Sequence, residues 1–156
     1  MPEVEIIECD FNNPAHTDAL VYLINHYISD KMGGGKPLDN LQKISLVEGL
    51  RNHPSKLILF ALSGNTFIGL TVCFINFATF TVKPFINIHD IVVLDSHRNK
   101  GIGRLLLQEI IKRARQLDCS KVTLEVREDN LNAQHLYKSI GFEECNPKMY
   151  FWSNYL

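Results

Sequence analysis

The chain has 156 residues, 46% of them hydrophobic and 21% charged, with a formal net charge of −1. That length suits one domain able to bury roughly two thirds of its unfolded surface, and the composition excludes wholesale disorder. Near-neutral charge excludes a general nucleic-acid or anionic-membrane binder but leaves room for a local basic patch.

Val4–Cys9 reads as a short strand carrying acidic residues. Asn13-Pro14 has the form of a cap followed by a proline at the first helical position, and Leu20, Leu23, Ile24 and Ile28 then recur at helical spacing. Gly33-Gly34-Gly35-Lys36-Pro37 breaks the pattern, because three successive glycines lose too much backbone entropy to sit inside an element. The run reads as a linker or as a mobile flap over a site. Leu38–Leu50 offers a second, shorter helix. Lys56–Leu62 and Thr66–Phe77 are apolar, partly β-branched runs joined by Ser63-Gly64-Asn65, a hairpin signature. Phe85–Leu94 predicts a third long strand. From Gly101 the period changes: Ile102, Leu105, Leu106, Ile110, Ala114 and Leu117 mark one helical face, with Arg104, Gln108, Lys112 and Gln116 on another. Lys121–Val126 alternates as a strand, and Asn130–Ile140 is helical with Gly141 as its cap. Phe142–Cys145 and Met149–Trp152 read as a closing pair of strands around Asn146-Pro147.

The order β-α-α-β-β-β-α-β-α-β-β contains no repeat and no low-complexity tract, so one domain over 1–156 is expected. A meander followed by strand–helix–strand crossovers predicts a mixed α+β (α/β) architecture, with helices on the faces of a mixed sheet. The crossover from Phe85–Leu94 to the Lys121 strand should be parallel and right-handed. Cys9, Cys73, Cys119 and Cys145 form no C-x-x-C pair, which leaves buried free thiols in a reducing compartment as the reading. His16, His26, His53, His97 and His135 show no metal spacing, and no metal is expected. The aromatic run Phe74, Phe77, Phe80 and Phe85 reads as core packing. Met1–Ile6 lacks a basic region followed by an apolar run, and the apolar stretch around Phe67–Phe80 is too short and broken for a bilayer span. A soluble cytoplasmic protein is expected.

The segment with chemical content begins at His97-Arg98-Asn99-Lys100-Gly101-Ile102-Gly103-Arg104, between a strong strand and a strong helix. Glycines there let the backbone approach a ligand, and the first helical N–H groups lack an intrahelical acceptor. Together with the positive end of the helix dipole they make an anion site suited to a phosphate or pyrophosphate. Arg98–Arg115 holds six basic residues against one acid, Glu109, while Glu3, Glu5, Glu8 and Asp10 make the start of the chain acidic. A P-loop would need Gly-Lys-Ser/Thr after its spacer, and a Rossmann loop would need a third glycine where Leu106 stands. A plain strand-to-helix turn remains open on the loop alone.

A second motif follows about thirty residues on. Arg98-x-x-Gly101-x-Gly103 and Asn130-x-x-Ala133-x-x-x-Tyr137-x-x-x-Gly141-Phe142, with the strand His89–Leu94 before them, resemble the GNAT superfamily of N-acetyltransferases, which use acetyl-coenzyme A. The resemblance covers the C-terminal half; the N-terminal half agrees in element order only. It implies a mostly antiparallel central sheet flanked by helices, with a splayed parallel strand pair that binds acetyl-coenzyme A. It further implies that the amides of Asn99, Lys100, Gly101, Ile102, Gly103 and Arg104 hold the pyrophosphate, with Arg98 opening the loop. The backbone near Ile91, Val92 and Val93 would pair with the pantetheine arm and supply an oxyanion donor. Asn130 would cap its helix and, with Ala133, touch the cofactor.

By the same resemblance Tyr137 would lie over the thioester sulfur as general acid. A neutral phenol, with a reference value near ~10, suits a departing thiolate. Read on period alone, Tyr137 is an amphipathic core residue. Asp90 could orient or deprotonate the attacking amine, and His89 is an equally plausible base. Successive strand residues face opposite sides, so only one of the two is expected in the cleft. The reaction implied is acetyl transfer to a primary amine of a small molecule. A protein N-terminal or lysine acetyltransferase is the runner-up, and a silent acyl-coenzyme A-binding module is the reading from another class. A homodimer is compatible with the family and with Tyr150-Phe151-Trp152.

Overall fold

Local sequence decides where most elements start and stop. β1 (Val4–Glu8) leads into α1 (Pro14–Ser29), where Asn13 accepts the Ala15 N–H at 3.0 Å and Pro14 opens the first turn, as expected. α2 (Asn40–Asn52) begins in a reciprocal capping box between Asp39 and Gln42, with both bonds at 2.9–3.0 Å. β2 (Lys56–Ser63) and β3 (Thr66–Ala78) turn at Gly64, whose φ of +59° is a conformation glycine adopts without strain. β4 (Lys83–Val93), α3 (Ile102–Gln116), β5 (Val122–Leu124) and α4 (Leu131–Lys138) complete the order. The structure is a computed structural model and describes residues 3–156. Met1 and Pro2, where the leaderless N-terminal reading starts, lie outside the described residues.

The sheet runs β1-β2-β3-β4-β5, antiparallel through its first four strands and parallel between β4 and β5. Each face has its own core. α1 covers Phe60, Leu70 and Val92 with Leu20, Leu23 and Ile24, and α2 adds Leu50. α3 covers Leu59, Ile68 and Ile86 with Leu106, Leu107 and Ile110 on the opposite side. Side chains of this size, removed from water, each contribute roughly 1.5–3 kcal/mol. The acidic start and the basic helix meet directly: Arg113 of α3 bridges Glu8 of β1 at 3.0 Å. Among the described residues no helix is long and apolar enough to cross a membrane.

Several expectations fail at the periphery. β5 is three residues long, shorter than Lys121–Val126. Phe142–Cys145 and Met149–Trp152 form no strands; from Gly141 to Leu156 the chain is irregular. β5 gives them little edge to pair with, and Pro147 lacks an N–H donor. Tyr150, Phe151 and Trp152 therefore stand exposed. Phe77 and Phe80, read as core, are exposed at the far end of the β3–β4 hairpin, because neither core extends past Ile75 on β3. All four cysteines are free thiols, but of these only Cys73 is fully buried and Cys145 is exposed.

Candidate active site

The register of β4 decides where the chemical side chains go. Ile88 pairs with Cys73 and Asp90 with Val72, so His89 is an extra residue without an opposite number, a β-bulge. The bulge inverts the strand's parity. Ile86 and Ile88 face the α3 core, yet Val92, which an unbroken strand would put on the same side, faces the α1–α2 core. Buried Thr71 steadies this irregularity by donating its hydroxyl to the Asp90 carbonyl at 3.0 Å. The expectation that only one of His89 and Asp90 reaches the cleft is thereby corrected: both line the same cavity. Burial raises the Asp90 carboxyl above its ordinary range, with the charge of neighbouring His89 opposing the rise.

β4 and β5 pair only over Ile86–Ile88 and Val122–Leu124. Beyond that point Ile91, Val92 and Val93 pair with β3 on one side and with no strand on the other among the described residues. One edge of the strand is open to an extended ligand with amide groups of its own.

Arg98 to Gly101 follow a short turn over Asp95–His97. Asn99 and Gly101 take left-handed conformations, with φ of +59° and +82°. Gly101 opens α3 without a side-chain cap, so the N–H groups of Ile102, Gly103 and Arg104 present the positive end of the helix to an incoming anion. Among the described residues, no atom beyond Gly101 and its two chain neighbours lies within 4 Å of where a Gly101 Cβ would stand. Gly103 has a different reason to be glycine: a Cβ there would come 3.1 Å from Leu136 Cδ2 of α4.

The basic side chains around this loop are engaged. Arg98 donates Nε to the Val93 carbonyl at 3.1 Å and Nη2 to Asp30 at 2.9 Å and Asp95 at 2.8 Å. Lys100 Nζ donates to the Ser96 carbonyl and Arg104 Nη2 to Ser139 Oγ, each at 2.8 Å. Arg98 thus braces the end of α1 against the loop.

Asn130 accepts the N–H of half-buried Ala133 at 3.2 Å and so caps α4, as the motif implied. Tyr137, on the same helix, is 8% exposed and packs near Phe142 with ring centroids 6.0 Å apart. Burial, with a smaller contribution from Tyr27, pushes its phenol up to about 12, so it keeps its proton at neutral pH.

Tyr27 was not singled out by the sequence, although it sits in register with the helical repeat of Leu20, Leu23 and Ile24. Burial raises its phenol, and so do the charges of Asp90 and Asp30. The glycine run after it, which the sequence leaves as a linker or a flap, is a hydrogen-bonded reversal against the end of α1. The N–H groups of Gly33 and Gly34 return to the Asp30 carbonyl at 3.0 and 2.9 Å, and that of Gly35 to the Ile28 carbonyl at 2.9 Å. A Cβ on Gly33 would stand 1.9 Å from the Tyr27 carbonyl oxygen. Gly33 forms one wall of a cavity of about 430 Å³, with Ile24, Leu46, Leu50, Val72 and Phe74 around it and Tyr27, His89 and Asp90 supplying polar groups. Among the described residues no group of three or more His, Cys, Asp or Glu is placed to hold a metal ion.

A family model described as the acetyltransferase (GNAT) family matches residues 20–142, which include the bulge, the loop and both motifs. Uncharacterized N-acetyltransferase YhfO of Bacillus subtilis (strain 168) is 34% identical over 105 residues, 67% of this chain and 70% of that protein. The ribosomal protein bS18-alanine N-acetyltransferase of Haemophilus influenzae (strain ATCC 51907 / DSM 11121 / KW20 / Rd) is 30% identical over 105 residues, 66% of this chain and 67% of that one. A solved structure described as a probable acetyltransferase superposes with a TM-score of 0.84 at 23% identity, covering 97% of this chain and 98% of that chain. This chain belongs to the GNAT family of acetyltransferases.

Proposed function

We propose that this chain transfers acetyl from acetyl-coenzyme A to the primary amine of a small molecule by direct attack, with Tyr137 as general acid. The reading is supported by one succession along the chain: His89 and Asp90 in the cavity wall, the open edge of β4 at Ile91–Val93 and, after a short turn, the uncapped start of α3. Acetyl-coenzyme A supplies an activated acyl thioester. The residues present suit it. Space at Gly101 and the amides of Asn99 through Arg104 fit a pyrophosphate, with Lys100 adding positive charge and Arg98 bracing the loop. Ile91, Val92 and Val93 offer main-chain partners to an amide-bearing arm, and Asn130 and Ala133 start the helix that carries Tyr137.

An ammonium ion cannot attack, so the cavity must accept a proton. Asp90, with its raised carboxyl, is a stronger base than an ordinary aspartate, and His89 beside it can relay the proton to solvent. A main-chain N–H in Ile91–Val93 stabilises the oxyanion. Tyr137 holds a proton at Oη and donates it in a hydrogen bond to the leaving sulfur as negative charge develops there. The thiol, at ~8.5 by analogy with cysteine, is the stronger acid, so the sulfur departs as a thiolate stabilised by that bond and takes its proton from solvent. The likeness to the Haemophilus influenzae enzyme favours a protein N-terminal amine as the second reading. A homodimer belongs to the same proposal, supported by the exposed Tyr150-Phe151-Trp152 and tested by sedimentation.

The decisive experiment follows thiol release from acetyl-coenzyme A across small amines and short peptides, with coenzyme A binding measured separately by calorimetry. Turnover with small amines is expected. Binding without turnover on any acceptor makes the chain an acyl-coenzyme A-binding module, and absence of binding overturns the reading.

A further inference from the structure

The cavity beside Asp90 has an unusual balance for an amine site. Ile24, Leu46, Leu50, Val72 and Phe74 make its body apolar, and among the described residues Asp90 is the one acidic side chain lining it. Asp30, whose charge reaches Tyr27 in the cavity wall, already accepts from the Met32 N–H at 2.7 Å and from Arg98 at 2.9 Å. An aromatic bank crosses the β3–β4 face, with Phe74 set 4.5 Å from the His53 ring and 5.4 Å from the His89 ring. β3 is paired on both sides along the cavity, so its main chain offers no edge to an extended peptide.

We infer that the acceptor is a compact primary amine on an arylalkyl stem with no second charge, seated in this cavity with its nitrogen toward Asp90. The inference rests on the acyl-transfer reading above and adds the substrate class. The volume, about 430 Å³, lies toward the low end for small-molecule sites, which favours a single ring with a short stem. Each methylene carried into such walls improves binding about fourfold. A sugar hydroxyl buried without a partner costs about tenfold, and among the described residues Tyr27, His89 and Asp90 are the lining residues whose polar side chains could meet one. A polyamine would need a second carboxylate that the walls lack. The ring of an arylalkylamine instead meets Phe74 edge-on or offset, where aromatic pairs are most stable.

The test is calorimetric binding of phenethylamine, spermidine, neamine and a short alanine-terminated peptide to the full chain saturated with coenzyme A, with thiol release from acetyl-coenzyme A measured alongside. Phenethylamine is expected to bind at least about tenfold more tightly than each of the others. Leu46→Glu, which adds a carboxylate at the α2 wall, should weaken phenethylamine at least about tenfold and tighten spermidine. Equal or tighter binding of spermidine, neamine or the peptide to the native chain overturns the inference. So does a ratio of phenethylamine to spermidine affinity that Leu46→Glu leaves unchanged, or no binding of phenethylamine at all. Selective binding of phenethylamine without thiol release sustains the cavity's specificity and overturns acyl transfer alone. Thiol release with neamine or spermidine in preference sustains acyl transfer and overturns the arylalkyl class alone.

Discussion

The reversal at Gly33–Gly35 invites a direct perturbation. In Gly33→Ala the new methyl would start 1.9 Å from the Tyr27 carbonyl oxygen, whereas a carbon–oxygen contact relaxes at about 3.3 Å, so loop and helix end must part by about 1.4 Å. Three main-chain hydrogen bonds close this reversal, from Gly33, Gly34 and Gly35. Losing two or three of them at about 1 kcal/mol each gives a destabilisation of about 2–3 kcal/mol, or about 5–10 °C in Tm for a domain of this size. The cavity wall moves with the loop, and so does the carbonyl of Tyr27, so kcat/KM for the amine should fall up to about 10²-fold. Gly34→Ala is the control. Its φ of +67° brings left-handed strain of about 1–2 kcal/mol, but only Arg127 Nη1, at 4.0 Å, faces the added methyl. Thermal melts and amine KM values for both variants decide the matter. A Gly33→Ala protein melting within about 2 °C of the native chain with unchanged KM would refute the close approach to α1 and favour the flap reading.

Other outcomes follow from the same site. Tyr137→Phe should lower kcat about 10²–10⁴-fold while leaving coenzyme A affinity, read by calorimetry, unchanged; an unaltered kcat assigns the phenol to packing. Asp90 has its carboxyl raised by burial, so the stability it allows is fully present below its unfolded value near 3.8 and is lost as pH rises through the folded one. Asp90→Asn should therefore melt higher than the native chain at neutral pH, lose that advantage in acid, and abolish the acid limb of the pH–rate profile; a lower Tm at neutral pH contradicts the assignment. Asp30 behaves oppositely. The Met32 N–H and then Arg98 lower its carboxyl, so its contribution is present above the unfolded value and lost as pH falls through the folded one. Asp30→Asn should cost about 1–2 kcal/mol at neutral pH, with the difference shrinking in acid melts.

The sequence was most legible where local rules act alone. Asn13-Pro14 fixed the start of α1, Ser63-Gly64-Asn65 the central hairpin, and the repeat from Ile102 the length of α3, because caps, turns and amphipathic faces are decided within a few residues. What depends on a partner was harder to read. The bulge is a relation between β4 and β3, and its one trace in the chain is the pair of adjacent polar residues, His89-Asp90, interrupting an apolar alternation. The glycine run looked loose by composition, yet Gly33 and Gly35 are required by close approach to the end of α1. Arg98 looked like a free cation until Asp30, sixty-eight residues away, was brought beside it. The tail from Phe142 has strand-like composition but no long edge to join, and composition alone cannot supply an edge.

The extra residue in β4 also separates two kinds of change that this protein can tolerate. The proposed proton acceptor and the open strand edge sit within four residues of one another on a strand held by β3, so their spacing is a property of the main chain and does not wait on a rotamer. The walls that would meet an acceptor's body, Ile24, Leu46 and Leu50, belong to α1 and α2. Drift on those helices can redraw which molecules are admitted while the reacting geometry stays as it is. A slip of one residue along β4 would displace the acceptor carboxylate and the edge together. The molecule is permissive in its helical layer and brittle in a single stretch of sheet, and new specificities should arise on the former.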